Sequence, residues 1–395
     1  MEEWKSYRLG ELYEVHNGLS KSAQYFGSGF PFLSFSTVFK NYFLPEQLDS
    51  LVESNDREQL SFSINRGDVF ITRTSETAEE LGMSSVALKA YPGATYNGFT
   101  KRLRPIHGER LVHPEFIGYY LRSPQFRNHF YALSSSMSTR ASLANGDLLA
   151  MEVMLPPISE QKRISGILLS LDSKIALNNR INHNLLTIAQ SLFDVKIAGR
   201  DSIGDNYKQG SLTDIAEFFN GVAMQKYPAL GSDTGLPVLK IKELGQGLCD
   251  NNSDKCSSSI PPQYVINDGD IIFSWSGTLL VDYWCGGVCG LNQHLFKVSS
   301  RCYPGWFIYF WTKYHLERFQ RIAQDKAVTM GHIRRTDLEH AEVMIPTGDS
   351  MSSIDAEISP LIEEYIKRRV ENRKLQEVRD GILPQLMSGT IDLIC

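Results

Sequence analysis

Ser259-Ile260-Pro261-Pro262-Gln263-Tyr264 places a Pro-Pro pair beside an aromatic, close to the Asp/Asn-Pro-Pro-aromatic pattern that serves adenine N6 methylation. Two positions spoil the match: Ile260 replaces the carboxylate or amide, and Gln263 replaces the ring. The stretch reads as a loop. His107, His113 and His129 could do acid–base work, but no nucleophile or acid stands at a recognisable spacing beside them. A GxGxxG cofactor loop and a Walker A lysine are both missing. The six cysteines (Cys249, Cys256, Cys285, Cys289, Cys302, Cys395) form no Cys-x-x-Cys pair and no zinc spacing, so free thiols and no metal are expected. Catalytic chemistry is therefore expected elsewhere. The competing reading is a two-domain hydrolase whose duplicated halves enclose a site built from those histidines.

With 395 residues, 42% of them hydrophobic, the chain can bury the cores of two or three ordinary domains. No run approaches the roughly 18 apolar residues of a membrane span, and MEEWKSYRLG lacks the basic and apolar regions of a signal peptide. A cytoplasmic location without membrane contact is the expectation. A net charge of −5 argues against wholesale coating of nucleic acid, while leaving room for a local basic face.

An internal repeat organises the chain. YRLGEL (Tyr7 to Leu12) resembles YKQGSL (Tyr207 to Leu212), and Asn17-Gly18 recurs as Asn220-Gly221. INRGDVFITRTSET (Ile64 to Thr77) matches INDGDIIFSWSGT (Ile266 to Thr278), and MEVMLP (Met151 to Pro156) matches AEVMIP (Ala341 to Pro346). Gly67-Asp68 and Gly269-Asp270 read as turn formers ahead of short strands. HPEFIGYYLRSPQF and PGWFIYFWTKYHLERF read as proline-opened helices whose aromatics belong to a core. Each half is thus an α+β domain followed by a long helix.

Those long helices carry a seam. Ile164, Leu168, Leu171, Ile175, Asn178, Asn182, Leu185, Ala189 and Leu192 alternate steps of four and three, the heptad period of a coiled coil. Ile354, Ile358, Leu361, Tyr365, Arg368, Asn372, Leu375, Arg379 and Ile382 repeat the pattern 190 residues later, again with polar residues in the middle. Two unrelated surface helices would need no such match. With Asn178 opposite Asn372, an antiparallel pairing sets Asn182 against Arg368 and Ile175 against Leu375. A parallel pairing also aligns the polar positions, so the seam alone leaves direction open. Polar seam residues cost stability but penalise sliding, which holds a fixed length. A helix from Glu160 to Lys196 would span roughly 55 Å, comparable to one and a half turns of duplex DNA.

Charge agrees locally. From Gly98 to Arg140 seven basic residues (Lys101, Arg102, Arg104, Arg110, Arg122, Arg127, Arg140) face Glu109 and Glu115. From Lys297 to Arg335 eight (Lys297, Arg301, Lys313, Arg318, Arg321, Lys326, Arg334, Arg335) face Glu317 and Asp325. Two such clusters at matching places suggest phosphate contact, with a solvated helix face as the alternative.

LPPISEQKRISGILLSLDSKI (Leu155 to Ile175), LPQLMSGTIDL (Leu383 to Leu393), the repeated Gly-Asp turns and the order domain, helix, domain, helix resemble the specificity subunits of type I restriction-modification enzymes over nearly the whole chain. IPTGDSMSSIDAEI (Ile345 to Ile358) departs from the pattern, replacing the usual Pro-Pro and Glu-Gln, so equal contacts at both helix starts are left open. The resemblance implies an α+β protein with two similar target-recognition domains, 1–157 and 197–347. Two spacer helices, 158–196 and 348–388, join them as an antiparallel coiled coil with a pseudo-two-fold internal repeat, followed by a tail at 389–395. It implies a non-catalytic subunit that binds double-stranded DNA, each domain reading half of a split site. The helices would dock two methyltransferase subunits, to which restriction subunits can be added. No cofactor is expected in this chain; S-adenosylmethionine is expected on the methyltransferase. An adaptor of another defence system is the remaining alternative.

The family's recognition loops map to Arg73, Thr74, Asn97, Lys101, Arg102, Thr139 and Arg140 in the first domain. In the second they map to Lys240, Lys242, Ser276, Asn292, Gln293, His294, Thr329, His332, Arg334 and Arg335. Arginine suits guanine, and asparagine or glutamine suits adenine, in the major groove; phosphate or structural hydrogen bonds are the alternatives.

Overall fold

Gly67 and Gly269 sit at φ +87° and +92°, a left-handed backbone that a Cβ would strain, just before the strands Val69–Thr72 and Ile271–Ser274. The acid after each glycine closes the turn: Asp68 accepts from Asn65 N at 2.7 Å, and Asp270 from Asn267 N at 2.8 Å. Both acids also hold a base from the neighbouring strand, Arg104 at 2.6 Å and Lys297 at 2.7 Å. The turn therefore fixes both its own shape and its seat in the sheet.

The computed structural model describes residues 4–74, 81–135, 143–199, 207–325 and 331–390. Each fully buried Gly-Asp strand lies inside a four-stranded antiparallel sheet. The first sheet runs Tyr13–Asn17, Thr100–Pro105, Val69–Thr72, Ser84–Val86; the second runs Glu217–Asn220, Leu295–Ser299, Ile271–Ser274, Val281–Tyr283. A further sheet accompanies each, three-stranded around Phe26–Leu33 and four-stranded around Leu236–Leu239. An antiparallel strand pair ties the ends of each half together, Lys5–Arg8 with Glu152–Leu155 and Tyr207–Ser211 with Glu342–Pro346.

That pairing corrects one detail of the repeat. Tyr7 faces Val153, while Val343, the counterpart of Val153, faces Gly210. Gly210 therefore corresponds to Tyr7, and the likeness between YRLGEL and YKQGSL is three residues out of register.

Residue contacts divide the chain into two units, 1–173 with 377–395, and 174–376. The long helices Ile158–Phe193 and Asp349–Met387 each contribute to both. In the first unit Ile164 and Leu168 share a core with Leu383, Leu386 and Met387, joined by Phe116, Ile117 and Tyr119 of the helix Pro114–Tyr120. In the second, Ala189, Phe193, Ile354, Ile358 and Tyr365 share a core with the aromatics of Gly305–Tyr314. The aromatic helices are core. All the seam positions are buried or half-buried. Within the second unit Asn178 meets Asn372 while Lys196 meets Glu357, so the helices pair antiparallel.

The two helix starts differ for a physical reason. Gln161 is 1% exposed and accepts from His113 N at 2.8 Å while donating to Leu111 O at 2.9 Å and Pro156 O at 2.8 Å. It satisfies two main-chain groups ahead of the helix Pro114–Tyr120 and one ahead of its own helix, all of which would otherwise lack partners. Met351 stands at the matching place in the second half, and there Ser300 Oγ accepts from Tyr303 N at 3.1 Å instead. A local hydroxyl replaces the helix-borne amide, so the second half can dispense with Glu-Gln. Among the described residues no helix is long and apolar enough to cross a membrane.

Candidate nucleic-acid interface

Three segments meet where the Gly-Asp strand ends. In the second half Trp275 N donates to His294 O at 3.3 Å, and Ile333 N donates to Trp275 O at 3.1 Å. In the first half Arg73 N donates to Phe99 O at 3.0 Å, and Leu143 N donates to Arg73 O at 2.9 Å. The same two bonds join the same three segments. Arg73 therefore corresponds to Trp275, Phe99 to His294 and Leu143 to Ile333.

The middle segment turns at an asparagine in both halves. Asn97 Oδ1 accepts from Phe99 N at 2.6 Å and Asn292 Oδ1 from His294 N at 3.4 Å, so each amide shapes its own turn. The repeated Asn-Gly follows from this crossing. A Cβ on Gly18 would lie 2.1 Å from Asn97 O, and one on Gly221 would lie 2.1 Å from Asn292 O. Only glycine lets the strands approach so closely.

The second junction gathers most of the residues anticipated from sequence. Ser276 Oγ lies 3.0 Å from His294 Nδ1 and pairs by main chain with His332. Gln293 Nε2 lies 3.3 Å from His294 Nε2, and Gln293 Oε1 is buried without a hydrogen-bond partner. The Trp275 ring packs on His294 and His332 at 6.0 and 6.3 Å. Arg334 and Arg335 are exposed at the start of the short helix Arg335–Glu339, beside this junction. Lys240 and Lys242 lie at the start of the helix Ile241–Gln246, next to Leu239, whose O accepts from Asn292 N at 3.2 Å. Lys240 donates to Asp254, and Lys242 faces Asp250 at 3.8 Å. Thr329 lies outside the described residues.

The first junction is more cationic and more closed. Arg73 is half-buried with its Nε unpartnered, and Thr74 follows it. Lys101 is 4% exposed and donates to Asn145; burial, then the nearby Arg73 charge, lowers its pKa. Arg102 is 3% exposed, donates to Ser63 O at 2.6 Å and lies over the Tyr96 ring at 5.4 Å. Asn97 is half-buried in its turn, and Thr139 and Arg140 lie outside the described residues.

Much of the first basic cluster serves the fold. Arg104 is paired with fully buried Asp68. Arg122 donates to the carbonyls of Val38, Phe39, Asn41 and Ser84 at 2.6–2.9 Å, and burial pushes its pKa down to about 10. Arg127 donates to Leu81 O at 2.6 Å. These guanidiniums satisfy helix-end and loop carbonyls. In the second cluster Arg301 and Arg321 are 89% and 77% exposed in the side chain, with only loose ion pairs at 3.8 and 3.5 Å. His113, considered for catalysis, sits 3.1 Å from Glu115 in an ion cluster with Glu109 and Arg66 that ties its loop to the Gly-Asp turn.

The polar seam is a single network. Asn178 donates to Asn372 at 2.8 Å and to Glu371 at 2.7 Å, and accepts from Arg368 at 3.0 Å. Asn372 donates to Asn179 at 2.8 Å. Asn182 is 6% exposed and its Oδ1 has no partner. Basic residues outside the seam pin the second domain to the second long helix. Arg369 makes two 2.9 Å bonds to Asp282; burial alone would lower its pKa, and the paired carboxylate outweighs that and raises it.

Sequence reasoning passed over Trp275, Asn220 and Phe99. Their signal was positional: Trp275 holds in the second half the place of Arg73 in the first.

Two duplicated α+β domains carrying matched three-segment junctions, with paired helices bearing a polar layer, are the features on which the comparisons with known proteins bear. Residues 1–187 match the family described as type I restriction modification DNA specificity domain. The type I restriction enzyme MjaIX specificity subunit of Methanocaldococcus jannaschii is 22% identical, covering 98% of this chain and 94% of that one. The EcoKI specificity subunit of Escherichia coli is 25% identical over 62% of this chain and 53% of that one. The crystal structure of a type I restriction-modification system S subunit from M. genitalium has the same fold, with TM-score 0.61 at 12% identity, covering 97% of this chain and 96% of that one. Over nearly its whole length the chain is thus similar to type I restriction enzyme specificity subunits, with the DNA specificity domain matched over residues 1–187.

Proposed function

We propose that each α+β domain reads one half of a split DNA sequence through its three-segment junction. The two long helices set the gap between the half-sites and dock two methyltransferase subunits, to which restriction subunits can be added. S-adenosylmethionine belongs to those methyltransferase partners. The carrying observation is the repetition of the same two main-chain bonds, around Arg73 in one domain and Trp275 in the other. A rigid main-chain frame with different side chains at equivalent positions suits two readers of different sequence. In the first domain Arg73 offers donors; in the second Ser276, Gln293, His294 and His332 offer both donors and acceptors, with Arg334 and Arg335 exposed beside them for phosphate.

Purification from the native host, with the complex weighed intact, tests the assembly. Two methyltransferase copies per chain are expected, with methyl transfer dependent on them. Methyl transfer by the isolated chain would contradict the reading.

A further inference from the structure

Beside the second junction lies a cleft of about 320 Å³, walled by Phe218, Trp275, Phe296 and Ile333 and edged by Asn220 and Arg335. Trp275 and Phe296 lie 5.8 Å apart at 33°, and Phe218 meets Phe296 edge-on at 5.9 Å. Trp275 Nε1 donates to Asn220 Oδ1 at 3.1 Å, which holds the indole in place and turns the amide so that its Nδ2 is left to donate. Arg335 is 84% exposed in the side chain and has only a loose 3.9 Å contact with Glu339. A flat aromatic wall, an amide donor and a guanidinium at the rim form a site for a flat heteroaromatic group with acceptors on its edge. The volume is at the small end for ligand sites, enough for one ring system.

At the equivalent place in the first domain, among the described residues, other side chains fill the space. Strand register and the repeat place Tyr13 where the second domain has Ala216, Lys101 where it has Phe296, and Asn145 where it has Arg335. Tyr13 is 2% exposed and Lys101 donates to Asn145, which closes the site. The cleft is thus a property of one reader, and it shares Trp275 with that reader's junction.

We propose that this cleft receives a single nucleobase turned out of the duplex at the half-site read by the second domain. The proposal rests on the reading of each domain as a half-site reader. Extrusion costs unpairing and unstacking, and a mismatch at the extruded position lowers that cost. Stacking on Trp275 and Phe296 offsets the remainder.

The test walks single mismatches along the half-site of the second domain and measures binding by the complex with its methyltransferase partners. One position is expected at which a mismatch tightens binding, by on the order of 10-fold. Trp275→Ala should abolish that preference and Trp275→Phe should keep it. Should the alanine variant fail to assemble, Phe296→Leu carries the same test at the adjoining wall. Mismatches that weaken binding everywhere would overturn the proposal. So would a mismatch preference that survives Trp275→Ala, which belongs elsewhere in the complex. If the wild-type complex selects no split site at all, the half-site reading itself fails; split-site selection without a tightened position removes only the base-receiving cleft.

Discussion

Asn178 donates to Asn372 across the helix seam at 2.8 Å, with the two residues 0% and 7% exposed. An amide buried in an apolar seam is stable only opposite a partner, so this pair sets the one register in which both are satisfied. Asn178→Leu alone should destabilise the chain by about 1–3 kcal/mol by leaving Asn372 and Arg368 short of partners. The double replacement with Asn372→Leu should recover much of that loss while loosening the register. Denaturant unfolding of the four members of the cycle checks this; strictly additive losses would deny the pair its role.

Gln161 does locally what Asn178 does between helices. Gln161→Met, which installs the residue found at Met351, should cost about 2–3 kcal/mol, because His113 N, Leu111 O and Pro156 O lose their partner together. Ser300→Ala, which removes the second half's substitute, should cost less, roughly 1 kcal/mol. Thermal unfolding of each variant provides the comparison.

Burial separates two kinds of basic residue in the salt dependence of DNA binding. Arg102→Ala should lower stability and leave the salt slope unchanged, since its guanidinium is held by Ser63 O inside the domain. Arg334→Ala with Arg335→Ala should reduce the slope by up to about 1.8, from about 0.9 per phosphate contact. Titrations at several salt concentrations distinguish the two, and a slope change with Arg102→Ala alone would mean that this residue reaches the backbone after all.

The seam was readable in sequence because a period of 3.5 residues has few other causes, and the polar positions marked its middle while leaving the direction of pairing open. The Gly-Asp and Asn-Gly turns were readable because φ near +90° or a 2.1 Å approach leaves glycine no competitor. Side-chain roles were not. Arg102 and Arg122 counted as surface charge, yet both are spent on interior carbonyls, and nothing in local composition marks a carbonyl cluster. Trp275 was not singled out because its importance comes from two segments far away in sequence. The likeness at Tyr207 misled by three residues because side-chain letters there matter less than strand register.

The helices act as a ruler if their length sets the gap between half-sites. Seven residues inserted after Asn184 keep the heptad in phase and lengthen that helix by about 10 Å. At roughly 3.4 Å per base pair the tolerated gap should grow by one to three base pairs, the lower figure applying if the unmatched partner helix slips. A four-residue insertion creates a stutter and should weaken binding more than the longer one. Selection from a library of random gaps reads the outcome, and an unchanged gap in the heptad variant would assign the spacing to something other than these helices.

The independence of the two readers is the central claim, and exchange of one of them tests it most directly. Residues 1–157 are replaced by the same region of a relative with a different target, and the complex with its methyltransferase partners is used to select sites from random DNA. The half-site read by the second junction, around Trp275 and His294, should persist unchanged while the other half becomes that of the donor. Simultaneous change in both halves, or retention of both, would contradict the account.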